Sequence, residues 1–176
     1  MNRNQTQCIY IILHFSEKLI WAVVFLCRET AIDRAKLKEM GITHILNAAA
    51  VKKNLRVFTG AKYYKGMNIT YYGVPVIDDH LFDISKYFYP AAKFIHQALS
   101  NPENMVLVHC IDGVRRSPTL FLAYLMIHHD MMLEDAIDHV MKVRHIRPNI
   151  GFLKQLTILN SELVSQRKLQ FKTRHR

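Results

Sequence analysis

Nothing constrains this chain more than the run Val106-Leu107-Val108-His109-Cys110-Ile111-Asp112-Gly113-Val114-Arg115-Arg116-Ser117-Pro118. A β-branched apolar stretch stops at a cysteine, and Arg116 and Ser117 then open an apolar helical pattern with a proline in its first turn. That order permits a strand, a tight loop and a helix start. Backbone N–H groups of such a loop turn inward above the helix N-terminus and form an anion cradle. The same field favours a thiolate at Cys110. A nucleophile inside an oxyanion site points to phosphoryl transfer through cysteine.

Each residue has a chemical task. Cys110 attacks phosphorus and gives a phosphocysteine. Arg116 offers a planar fork to two phosphoryl oxygens, which lysine cannot do. Ser117 donates its hydroxyl to the thiolate as it leaves. Gly113 supplies a turn with positive φ. The substrate phosphate site is the loop itself: Ile111, Asp112, Gly113, Val114, Arg115 and Arg116. A carboxylate facing phosphate would repel it, so Asp112 is expected to accept hydrogen bonds within the loop. The His109 ring is placed to brace the loop from behind. The competing reading makes Cys110 an ordinary buried thiol at the end of a core strand. The full context, H-C-x-x-G-x-x-R-S between strand and helix, argues against it.

With these residues the chain resembles the cysteine-dependent protein phosphatases, specifically the small atypical dual-specificity phosphatases. The resemblance extends over residues 25–168. It also rests on Gly41-Ile42-Thr43-His44-Ile45-Leu46-Asn47-Ala48-Ala49, on Tyr72-Gly73-Val74 through Phe82-Asp83-Ile84-Ser85, and on Arg147-Pro148-Asn149-Ile150-Gly151-Phe152-Leu153. The segments Tyr124–His128 and Gly151–Leu156 are most similar to the muscle- and testis-type members. The resemblance implies hydrolysis of phosphotyrosine and phosphoserine/phosphothreonine in proteins, through phosphocysteine, with no metal and no cofactor. The family carries its general acid five residues beyond a strand-ending glycine and four before a phenylalanine. Gly73 and Phe82 thereby favour Asp78 over Asp79, and Asp83 is left to cap the helix near Ile84. Asp78 has to donate a proton to the leaving oxygen while Cys110 is ionised. Asn149 matches a family asparagine near the site, supporting the acid loop or the cradle, with helix capping as the alternative.

Arg115 departs from the family pattern, which has a small residue before the catalytic arginine. Directed outward it adds positive potential at the rim; directed inward it displaces Arg116. Outward is expected, because adjacent loop residues seldom converge on one ligand. Arg115 and the divergent N-terminus motivate the rival function, a weak or inactive pseudophosphatase that binds phosphoproteins or kinases. Lipid-directed relatives place lysines within the loop, and Asp112 there favours phosphoprotein instead.

At 176 residues, half of them hydrophobic, the chain is expected to fold as one domain with a core that needs no disulfides. Cys8, Cys27 and Cys110 are too few for a secreted disulfide framework, and a cytoplasmic or also nuclear setting suits a catalytic thiol. A Cys27–Cys110 disulfide is a less favoured alternative to a structural thiol at Cys27. Residues 8–27 are apolar but interrupted by His14, Ser16, Glu17 and Lys18, so no transmembrane span is expected. The domain reading is a divergent segment 1–24, a catalytic domain 25–168 and a basic tail 169–176.

Periodicity predicts strands at Ile20–Leu26, His44–Ala48, Ile69–Val74 and Met105–His109. It predicts helices at Glu29–Met40, Ile84–Ser100, Ser117–His129, Leu133–His145 and Asn149–Lys168. Pro90 calls for a kink or a later start in its helix. The fold class is α/β: a central mixed, largely parallel sheet flanked by helices, with the cradle at the carboxyl end of a central strand. A formal charge of +10 would attract phosphorylated protein, nucleic acid or an anionic membrane; protein kinases and a second copy of the chain are separate candidate partners. Lys52, Lys53, Arg56, Lys62 and Lys65 crowd one loop, and Arg167, Lys168, Lys172, Arg174 and Arg176 form an acid-free end. Nucleic acid is disfavoured, because no RNA-binding motif accompanies the charge.

Overall fold

The computed structural model describes residues 9–14, 20–26, 28–51 and 59–174. Cys8, Cys27, Lys52, Lys53, Arg56 and Arg176 lie outside the described residues, so the Cys27–Cys110 pairing does too. The strands are β1 (Ile9–His14), β2 (Ile20–Leu26), β3 (His44–Asn47), β4 (Thr70–Gly73) and β5 (Met105–His109). They form one sheet in the order β1-β2-β5-β3-β4. β2, β5, β3 and β4 run parallel, and β1 is an antiparallel edge strand that the sequence pattern did not predict.

β5 holds the centre. Val106 pairs with Val23 on one side and His44 on the other, and His109 pairs with Leu26 and Asn47. From Val106 to His109 every residue is fully buried, as a strand covered on both faces requires. Its pleat divides the core: Val106 and Val108 face a large cluster with Ile95, Phe121 and Phe152, and Leu107 faces a smaller one with Leu37, Ile45 and Tyr64.

The helices are α1 (Arg28–Ala31), α2 (Arg34–Glu39), α3 (Phe88–Leu99), α4 (Arg116–His128), α5 (Leu133–Met141) and α6 (Ile150–Arg174). The helix expected at Glu29–Met40 is split at Asp33, whose side chain accepts from Lys36 N–H at 2.9 Å and caps α2. Gly41, at φ +66°, ends α2 in the left-handed region. A 3-10 turn at Ser85–Tyr87 leads into α3, which places Pro90 in the first helical turn, where its missing N–H costs nothing. α4 is buried from Arg116 to Met126, and it packs against α3, α5 and α6. α5 stops at Met141, short of the expected His145, so that residues 142–149 are free to cross under the loop after β5. α6 continues past Lys168 to Arg174.

Candidate active site

Cys110 is the first residue past β5, and its thiol is 2% exposed. Two donors face the sulfur: Gly113 N–H at 3.2 Å and the Ser117 hydroxyl at 3.3 Å. Gly113 reaches that position with φ +67°, which a β-carbon would oppose. α4 starts at Arg116, so its N-terminal dipole points into the loop.

The carbonyls of the loop face away from the thiol. Cys110 O lies 3.0 Å from His109 Nδ1, and Ile111 O accepts from Arg28 N–H at 3.0 Å. Arg144 donates through its NH2 group to Asp112 O (3.2 Å) and through Nε to Gly113 O (3.1 Å). Val114 O accepts from Arg147 N–H at 2.8 Å, and Arg115 O from Thr119 N–H (3.2 Å) and its hydroxyl (2.7 Å). From Cys110 to Arg115 the carbonyls are therefore engaged by groups outside the loop. In a trans peptide the next N–H points the opposite way, so the amides turn inward. The Asp112 side chain is exposed, and it is the residue's carbonyl, not its carboxylate, that is tied.

Arg116 is 6% exposed and donates to Val76 O at 3.2 Å. Its Nε is buried without a partner among the described residues. A guanidinium held this way is poised for an anion, since buried donors are ordinarily satisfied. His109 is fully buried beside it. Desolvation pushes its pKa down to about 4, and the Arg116 charge adds to that, against the bond to Cys110 O. The ring is neutral at pH 7 and braces the loop through Nδ1.

The segment after β4 brings the carboxylates. Asp78 Oδ1 accepts from Asn149 Nδ2 at 3.1 Å, and Oδ2 lies 3.2 Å from the Arg115 guanidinium. Asn149 Oδ1 accepts from Phe152 N–H at 2.9 Å, so the residue supports the acid segment and caps α6 at once. Asp79 turns elsewhere and accepts from Leu81 N–H at 2.7 Å. Asp83 accepts from Ser85 N–H (3.1 Å) and its hydroxyl (2.6 Å), and the hydroxyl chiefly holds its carboxyl below the usual range. Arg115 thus runs outward to Asp78 and leaves the cradle to Arg116.

Sequence reasoning missed two supports. Arg144 ties two loop carbonyls, and Gln155 on α6 accepts from Ile84 N–H (2.8 Å) and Ser85 N–H (2.9 Å) and donates to Phe82 O (2.9 Å). Backbone targets leave no trace in side-chain patterns, so nothing in the sequence marked either. A cleft of about 620 Å³ lined by Arg34, Lys38, Met67 and Asn68 lies at the opposite, N-terminal ends of β3 and β4, away from this chemistry. Among the described residues no group of three or more His, Cys, Asp or Glu is arranged to hold a metal ion.

Residues 24–162 match the family described as "Dual specificity phosphatase, catalytic domain". Human dual specificity protein phosphatase 13B is 50% identical over 145 residues, covering 82% of this chain and 72% of that protein. The crystal structure of human DUSP28 is 25% identical, with a TM-score of 0.67 over 80% of this chain and 89% of that one. Human tyrosine phosphatase-like serine/threonine/tyrosine-interacting protein is 25% identical, with a TM-score of 0.69 over 81% and 93% of the two chains.

Proposed function

The chain belongs to the dual-specificity phosphatase catalytic-domain family, and from that premise we propose that the loop 110–116 binds the phosphoryl group of phosphotyrosine, phosphoserine or phosphothreonine in proteins and transfers it to Cys110. The observation that carries this reading is the orientation of the loop: its carbonyls from Cys110 to Arg115 are engaged elsewhere, and the Gly113 N–H lies on the Cys110 sulfur.

Cys110 Sγ attacks phosphorus, an S–P bond forms, and the bond to the tyrosyl, seryl or threonyl oxygen breaks. Asp78 gives its proton to that oxygen. Inward amides, the α4 dipole and the Arg116 fork meet the negative charge of the equatorial oxygens, which is greatest in electrostatic effect inside a cradle already formed. In the second half Asp78, now a carboxylate, takes a proton from water as the water oxygen bonds to phosphorus. The S–P bond breaks, and Ser117 and Gly113 N–H, both already at the sulfur, stabilise the departing thiolate. This reading requires no metal ion.

Phosphorylated proteins are the substrate class, and protein kinases fall within it. A second copy of the chain is a further expected partner. Among the described residues no helix is long and apolar enough to cross a membrane, and the free thiol at Cys110 fits a cytoplasmic or nuclear setting. The binding-only alternative is disfavoured by the joint placement of thiol, guanidinium, hydroxyl and acid. Purified protein is expected to hydrolyse an aryl phosphate with a chelator present, to be blocked by vanadate, and to lose at least about a thousand-fold in turnover on Cys110→Ser. Acid quench during turnover, followed by mass spectrometry, is expected to find phosphate on Cys110. Full turnover by Cys110→Ser would remove the thiol from the mechanism.

A further inference from the structure

Asp78 is gripped from both sides, and the two grips differ in freedom. Asn149 holds Oδ1 while its own oxygen is fixed by Phe152 N–H, so it belongs to the start of α6. Arg115 holds Oδ2 from the rim, with a side chain 54% exposed. Among the described residues Asp78 is the acid its guanidinium meets, and that contact directs it. A carboxyl that hands a proton to a leaving oxygen needs one oxygen that bears the hydrogen and faces the substrate. Here both oxygens already accept hydrogen bonds. Once the carboxyl carries its proton it has no charge to hold the guanidinium, so the exposed Arg115 is the donor able to move away and free Oδ2 to face the leaving oxygen.

A competing anion would draw it away. The carboxylate of an acidic side chain beside the phosphorylated residue can take the same planar fork, with two parallel hydrogen bonds where Asp78 makes one. One rim ion pair is exchanged for another, and Asp78 is left facing the leaving oxygen. Neutral flanks offer Arg115 nothing in return. We propose that Arg115 is a latch on Asp78, released by an acidic side chain flanking the phosphorylated residue, which makes the enzyme selective for acidic phosphopeptides. The inference rests on the reading of Asp78 as the general acid. Arg115 in this account is a positioning residue, because it acts through Asp78 and need not touch the phosphoryl group with its side chain. A partly exposed ion pair of this kind changes a rate by about two- to five-fold.

The test compares wild type, Arg115→Ser, Asp78→Asn and the double variant. Two small substrates separate the proton requirement: p-nitrophenyl phosphate, whose leaving group departs with little help, and phenyl phosphate, whose leaving group needs the acid. Two phosphotyrosyl peptides differ only in glutamate or glutamine flanks. Arg115→Ser is expected to raise the ratio of phenyl to p-nitrophenyl turnover by about two- to five-fold, and to reduce the preference for glutamate flanks by a similar factor. Each ratio is taken within one protein, so a change in folded fraction cancels. A ratio that stays level or falls overturns the latch, as does a retained peptide preference. A rise that persists in the Asp78→Asn background overturns it too, because Arg115 then acts through another group. If Asp78→Asn alone leaves the phenyl ratio unchanged, Asp78 is not the acid, and the proposed mechanism fails with the latch.

Discussion

Gly151 shows how closely single residues set this site. A β-carbon there would stand 1.8 Å from the His80 carbonyl oxygen, so the first turn of α6 and the segment carrying Asp78 touch backbone to backbone. Gly151→Ala is expected to cost about 1–3 kcal/mol, as overpacking does, with a lower urea midpoint as the measure. Because the displaced atoms adjoin Asp78, turnover of phenyl phosphate should fall more than that of p-nitrophenyl phosphate. An unchanged midpoint would show that the two backbones separate freely. At this scale the sequence was most legible where function is packed into consecutive positions. Cys110, Arg116 and Ser117 sit on one short turn, and their spacing alone brings them together. Asp78 and Asn149 are far apart in sequence, and only likeness to a family joined them. The Asp112 carbonyl, which accepts from Arg144, is invisible to any reading by side-chain charge.

Between elements, Gln155 is the strongest link from α6 to the acid segment, engaging Phe82 O, Ile84 N–H and Ser85 N–H with one amide. Gln155→Leu leaves those backbone groups without the partner, at about 1–3 kcal/mol for partly buried groups. Faster limited proteolysis between residues 78 and 85, at unchanged cleavage elsewhere, is the expected sign; uniform acceleration would mean global destabilisation instead. Strand positions were read well, because β5 is buried on both faces and its apolar run is unbroken. Helix limits were read less well. The Asp33 cap that divides α1 from α2 looks in sequence like a tolerated polar residue within one helix, and α5 gives up its last turn so that Arg144 and Arg147 can reach the loop. β1 escapes notice because it shares one apolar stretch with its partner strand, where the pattern predicts a strand only at Ile20–Leu26.

For the whole molecule, histidines set the behaviour in acid. Burial chiefly pushes His109 and His129 down to about 4, with Arg116 adding to the effect at His109 and the neighbouring His128 and His96 at His129. The unfolded chain, with histidine near 6.5, binds more protons than the folded one between those values, so stability rises with pH across that window. Folding free energy is therefore complete above about pH 6.5 and is lost as pH falls toward 4, at up to about 1.4 kcal/mol per pH unit for each such proton. Urea unfolding at pH 7, 6 and 5 measures the slope, and His129→Asn should flatten it. A stability that holds level from pH 6.5 to 5 would contradict this account.

The outward carbonyls of residues 110–115 have one more consequence, and it concerns time. Their partners, from Arg28 to Arg147, belong to the surrounding scaffold, so the ring keeps its shape whether or not an anion fills it. Its inward amides are then a built-in gauge of occupancy. Deuterium uptake across residues 111–116 should slow sharply when vanadate enters, while uptake along β5 does not change. Binding of that kind arrives at a mould already cast, and the cost of shaping it was met when the chain folded.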